Sequence, residues 1–117
     1  DRFLAGHGLT HGRWLTLVVL HRRPEPRASP SELAQDQGVT RATMTGLLAN
    51  LESSGLVRRE TDAADGRRAV VVMTPKGRRL VDRLLPKVYD HINRQMAPIS
   101  ERDRRTLTRL LGHLIRE

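Results

Sequence analysis

The strongest constraint on this chain is a run of helix punctuation between Ser29 and Gly55. Ser29-Pro30-Ser31-Glu32 opens a helix. The Ser29 oxygen is placed to accept an orphan backbone N–H, Pro30 falls where no N–H is needed, and Glu32 completes a capping box. Gly38 ends that helix early, with Leu33 and Ala34 facing inward. Thr40 then caps a second helix whose Met44, Leu47, Leu48 and Leu51 recur at i, i+3, i+4 and i+7. Ser53-Ser54-Gly55 closes it, Gly55 being suited to a left-handed cap. Two short helices joined by a tight glycine turn predict a helix-turn-helix.

The flanks fit around that pair. Thr10 caps a helix running to about His21, with Trp14, Leu15, Val18 and Val19 as its buried stripe. Arg22 to Ala28 holds Pro24 and Pro26 and reads as a loop. Leu56 to Thr61 and Arg68 to Thr74 read as strands, separated by the turn chemistry of Asp62-Ala63-Ala64-Asp65-Gly66. The hairpin follows the second helix directly, where a wing would stand. Thr74-Pro75 starts the last helical section, with Leu80, Leu84, Val88 and Ile92 at four-residue steps. Pro86 inside this run should kink or split it. A break is expected near Ala97-Pro98. Ser100 caps a final helix with Leu107, Leu110, Leu111, Leu114 and Ile115 on one side. The expected fold is mainly α with a small β-hairpin wing, a winged helix-turn-helix.

Composition narrows the function classes. With 117 residues, 38% hydrophobic and 29% charged, the chain is one globular domain. Aromatics are only 3%, so its core is aliphatic. The lack of cysteine excludes a thiol redox sensor, a disulfide framework and a thiolate zinc site. The longest apolar stretch, Trp14 to Leu20 broken by Thr16, is too short to span a bilayer, and no signal-peptide pattern opens the chain. A soluble, cytoplasmic protein is expected. The net charge of +8 suggests a polyanionic partner. However, residues 1–39 and 40–75 each hold five basic and four acidic groups, whereas 76–117 hold eleven and five. The excess lies outside the helix-turn-helix. Nearly all the cations are Arg, which suits bidentate contacts to phosphate and bases; a GC-rich genome gives the same bias.

The second helix of the pair carries the sharper signal. With its apolar stripe turned to the core, the opposite face is Ala42, Thr45, Gly46, Ala49, Asn50 and Ser53, with Arg41 and Thr43 near the leading end. A solvated helix face usually carries Lys and Glu; this one has neither. Gly46 costs about 1 kcal/mol against Ala in a helix interior. Small, uncharged, hydroxyl-bearing residues let a helix approach base edges in the major groove. Arg41 in the first turn opposes the helix dipole, so a contact to guanine or phosphate accounts for it. The alternative is a face packed on another helix. In the wing, Arg67 at the turn can enter a narrow minor groove beside Arg68, the two held by Asp62 and Asp65; the alternative is a solvated charged turn.

Several ordered segments resemble the MarR family of regulators: Ser31-Glu32-Leu33-Ala34, Thr43-Met44-Thr45, Leu51-Glu52 with Gly55-Leu56-Val57, Asp62-x-x-Asp65-x-Arg67, and Met73-Thr74-Pro75-Lys76-Gly77. The likeness spans about residues 8–116. It implies one domain over 1–117, with about 10–75 as the winged lobe and about 1–9 and 76–117 as dimerisation helices. It further implies a homodimeric repressor that reads a pseudo-palindromic operator in double-stranded DNA and is released by a small aromatic or anionic effector. By position, Arg41, Thr43, Thr45, Gly46, Asn50, Arg67 and Arg68 are the DNA-binding candidates. The family's first helix is usually longer than Asp1 to His7, and positions 46 and 66 often carry larger polar or basic residues where this chain has Gly.

The implied effector pocket lies where His7, His11 and Trp14 are expected, Trp14 to stack on an aromatic ring and a histidine or arginine to pair with its carboxylate; the alternative is a core tryptophan. His7 and His11, four apart, are also a candidate metal pair for a metal-responsive regulator, needing carboxylates such as Asp1 to complete a site. His91 and His113 read as surface or interface residues. An enzyme is not expected: the serines at 29, 31, 53, 54 and 100 act as caps or helix ends, and no nucleophile elbow or phosphate loop is present. No cofactor is expected. The competing reading is a winged helix that binds protein, which would require large apolar anchors on the exposed face.

Overall fold

A short helix α1 (Arg2–Ala5) buries Leu4 and precedes α2 (His11–His21). The computed structural model describes residues 2–61, 64, 66–95 and 100–115. Thr10 caps α2 as expected, its side chain accepting from the Arg13 amide at 3.2 Å. The buried face of α2 differs from the expected stripe: Trp14, Thr16, Leu17 and Leu20 are buried, and Leu15, Val18 and Val19 are half-buried. The cause is a polar partner. The Thr16 hydroxyl lies 2.7 Å from Gln37 Oε1 and 3.0 Å from the Gly12 carbonyl, while Gln37 Nε2 donates to that carbonyl at 3.2 Å. A hydroxyl satisfied in this way is tolerated at 0% exposure, so the helix turns its Leu17 and Leu20 side inward.

The segment read as a loop contains a strand, β1 (Arg27–Ala28). It is too short to carry a periodic signal, and its pairing comes from elsewhere in the chain. Arg27 faces Val72 and Ala28 faces Val71 in an antiparallel pair, and Pro26 O accepts from the Met73 amide at 3.0 Å. Helix α3 (Pro30–Gln37) has the full capping box: Ser29 Oγ accepts from the Glu32 amide and Glu32 accepts from the Ser29 amide. Gly38, at φ 72°, ends it in the left-handed region. Helix α4 (Arg41–Ser53) starts at Thr40, whose side chain accepts from the Thr43 amide. It buries Met44, Leu48 and Leu51, with Leu47 half-buried.

The hairpin forms from β2 (Val57–Thr61) and β3 (Ala69–Met73), paired in register from Val57 opposite Met73 to Thr61 opposite Ala69. The sheet order is β1-β3-β2. Asp62 and Asp65, expected to hold the wing arginines, lie outside the described residues.

Helix α5 (Pro75–Gln95) begins at Thr74, whose hydroxyl accepts from the Gly77 amide at 3.1 Å and donates to Gly55 O at 2.6 Å. The expected split at Pro86 does not occur; α5 runs through it. Pro86 and Asp82, whose carbonyl loses its usual donor, are both exposed, so solvent can take that carbonyl while Val81 and Leu84 stay fully buried on the other side. Helix α6 (Glu101–Ile115) starts at Ser100, which accepts from the Asp103 amide at 3.1 Å. The break expected at Ala97-Pro98 and the side chains of Leu114 and Ile115 lie outside the described residues. The chain divides into two compact units, Asp1–Val81 and Asp82–Glu117. The first holds the helix-turn-helix, the sheet and an aliphatic core of Leu17, Leu20, Leu33, Met44, Leu48, Leu51 and Val71. The second leaves Tyr89, Ile92, Leu110 and Leu111 exposed.

Candidate nucleic-acid interface

The outward face of α4 is assembled by its caps and its stripe. With Met44, Leu48 and Leu51 fixed in the core, Arg41, Ala42, Thr43, Thr45, Gly46, Ala49, Asn50 and Ser53 are all exposed. A Cβ built on Gly46 meets nothing within 4 Å; the glycine answers no internal crowding. The polar groups are ordered by their own helix. Thr45 Oγ1 donates to Arg41 O at 2.9 Å and Asn50 Nδ2 to Gly46 O at 3.1 Å, while the Thr40 and Thr43 hydroxyls lie 3.0 Å apart. Such back-bonding holds short side chains close to the helix surface and leaves a low ridge that a groove can meet. For Asn50 to bond a base through both amide atoms, it must release Gly46 O.

The wing supplies the charge. An open cleft of about 270 Å³ on the hairpin is lined by Arg59, Thr61, Arg67 and Arg68 among others. The cations of the hairpin are partly committed: Arg58 pairs with Glu60 at 2.7 Å, Arg59 lies 3.6 Å from Glu52, and Arg68 Nη2 lies 2.5 Å from Glu32 Oε1. Arg67 is exposed beside it.

Sequence reasoning missed Glu32 as more than a cap. Its carboxyl is held below the ordinary glutamate range, first by the Ser29 amide and then by the Ser29 hydroxyl, Arg23 and Arg68, against the opposing effect of burial. Arg23 also pairs with Asp36 at 2.7 Å. The signal for this cluster was present in the capping box but not in the spacing, since Arg23, Glu32 and Arg68 meet only through the fold.

The expected effector residues differ in exposure. Trp14 is core, at 4% exposure, because α2 turns Trp14, Leu17 and Leu20 to one side. His7 and His11 are exposed, and the His7 ring lies 5.3 Å from that of Phe3. Among the described residues no group of three His, Cys, Asp or Glu is placed to hold a metal, and no helix is long and apolar enough to cross a membrane.

Comparison with known proteins follows the same lines. The sequence profile of the MarR family matches residues 7–68. The HTH-type transcriptional repressor YetL of Bacillus subtilis (strain 168) is 32% identical over 114 residues, 97% of this chain and 68% of its own length. A probable transcriptional regulator from Pseudomonas aeruginosa has a TM-score of 0.81 at 31% identity, covering 97% of this chain and 89% of that one. Sco3205 from Streptomyces coelicolor, a MarR family transcriptional regulator whose crystal structure is in complex with DNA, has a TM-score of 0.79 at 26% identity and covers 92% and 68%.

Proposed function

This chain belongs to the MarR family of transcriptional regulators, and we propose that it is a homodimeric repressor that binds a pseudo-palindromic operator and leaves it when a small aromatic or anionic effector binds. The observation that carries the DNA reading is the face of α4: exposed, charged only at Arg41 and Glu52 toward its two ends, and open above Gly46. That face, with Arg41, Thr43, Thr45, Gly46 and Asn50, enters the major groove, and Arg67 reaches the adjacent minor groove. The family likeness supports repression, dimerisation and effector release. The exposed Tyr89, Ile92, Leu110 and Leu111 also favour a covered second unit. An effector that stacks on Trp14 must first open the packing of α2; His7 and His11 are reachable from solvent without that step.

A protein-binding winged helix is disfavoured by the absence of any large apolar side chain among the exposed residues of α4. Fluorescence anisotropy tests the assignment, using a palindrome from upstream of the protein's own coding sequence. Affinity is expected to fall steeply as salt rises, because neutralised phosphates release counterions. Binding indifferent to salt, or none at all, would count against it.

A further inference from the structure

One carboxylate joins three parts of the first unit. Glu32, in the first turn of α3, accepts from the Ser29 amide at 3.2 Å, from Arg23 Nη2 at 2.8 Å and from Arg68 Nη2 at 2.5 Å. Arg23 follows α2, and its Nη1 reaches Asp36 at 2.7 Å, one turn further along α3. Arg68 is the residue that leads from the wing turn into β3. Strand β1 supports β3 at Val71 and Val72; nearer the tip, support comes from the Glu32 carboxylate.

We propose that Glu32 is a positioning residue for the wing: through Arg68 it fixes where the hairpin stands relative to the helix-turn-helix, and thereby sets operator affinity without touching DNA. This rests on the DNA-binding reading above. It also reassigns Arg68, whose guanidinium is engaged by α3, from groove contact to anchor. Arg67, its neighbour, is carried to the duplex by that anchor.

The sign of the effect separates this role from plain electrostatics. Removing an acidic charge beside a polyanion should tighten binding to any DNA. Loss of a wing anchor should loosen binding to the operator alone. Glu32→Gln is the suitable variant, because Gln at this position still closes the capping box and loses only the charge that holds the two guanidinium groups.

The assay uses the full chain, the duplex that the wild-type protein enriches from a randomised pool, and a scrambled duplex of equal composition. Glu32→Gln is expected to weaken binding to the enriched duplex roughly three- to tenfold, the range for loss of two part-exposed ion pairs, with affinity for the scrambled duplex unchanged or raised. Arg68→Gln should weaken binding to the enriched duplex by a larger factor than to the scrambled one, since the lost cation costs both alike and the lost anchor costs only the operator, and the double variant should be no weaker than the worse single one. Should Glu32→Gln fail to fold, as judged by thermal unfolding, Arg68→Gln at an exposed side chain carries the same comparison. Unchanged or tighter binding of Glu32→Gln to the enriched duplex would overturn the proposal. So would equal losses on both duplexes, or losses that add in the double variant. A wild-type chain that enriches no duplex would instead overturn the regulator reading on which the proposal stands.

Discussion

Gly46 stands on the exposed face of α4 with open space where a side chain would begin, so a substitution there acts on whatever approaches from outside. Gly46→Glu should abolish operator binding, a loss of more than about tenfold since a like charge at a phosphate-lined groove costs over 1.4 kcal/mol. Its thermal midpoint should stay equal to or above that of the wild type, because the helix loses a glycine. Retained affinity in anisotropy would mean that a different face meets DNA. Arg67→Ala should weaken binding about tenfold and remove the preference for A·T pairs at the operator flanks; equal affinity on flank-substituted duplexes before and after the change would take the wing out of the account. Glu32 has a pH signature. Its carboxyl is lowered in the folded chain by the Ser29 amide above all. The stability it adds is therefore fully present above the ordinary glutamate range and is lost as pH falls through that range to the lowered value. The charged groups facing it are Arg23 and Arg68, and Asp36 shares Arg23. The gap in thermal midpoint between wild type and Glu32→Gln should thus close on acidification; a gap constant across pH would deny the carboxylate this role.

At the scale of elements, α5 leaves the sheet through a close joint. A Cβ on Gly77 would overlap the Leu56 carbonyl and press within 3.2 Å of Met73 Cγ. Backbone cannot move aside as a flexible side chain can, so Gly77→Ala should destabilise the protein by about 1–3 kcal/mol, read as a lowered denaturation midpoint at unchanged slope. An unaffected midpoint would show that the joint has slack. The same region explains what could be read in advance. Each capped helix was legible because caps are local: Ser29 with Glu32, Thr10, Thr40, Thr74 and Ser100 act within one turn of their own positions. Strand β1 was not legible, since two residues beside prolines acquire strand character only by pairing with β3, far along the chain. The inward turn of α2 was misread for a related reason. Thr16 is polar by composition and core by circumstance, because Gln37 arrives from another helix to satisfy it. The exposed face of α4 was legible because small uncharged residues stand through its middle, where solvent normally selects charge; the Glu32 hub was not, because its arginines converge from either side of α3.

At the scale of the molecule, the two units differ in how completely they are finished. The first closes over an aliphatic core, whereas the second presents Tyr89, Ile92, Leu110 and Leu111 at 60, 39, 49 and 44% exposure. Replacing Leu110 and Leu111 together by Glu should shift sedimentation from dimer to monomer and lower apparent operator affinity at least tenfold, since a half-site alone forfeits the second arm's contribution. A dimeric double variant would place the interface on other residues. The packing of α2 has a practical consequence as well. The chain contains a single tryptophan, and it is seated at 4% exposure. Its fluorescence is therefore a built-in gauge of that one helix: blue-shifted while α2 stays docked, indifferent to events at the wing, and moving to the red when a bound compound or a denaturant pries the helix loose.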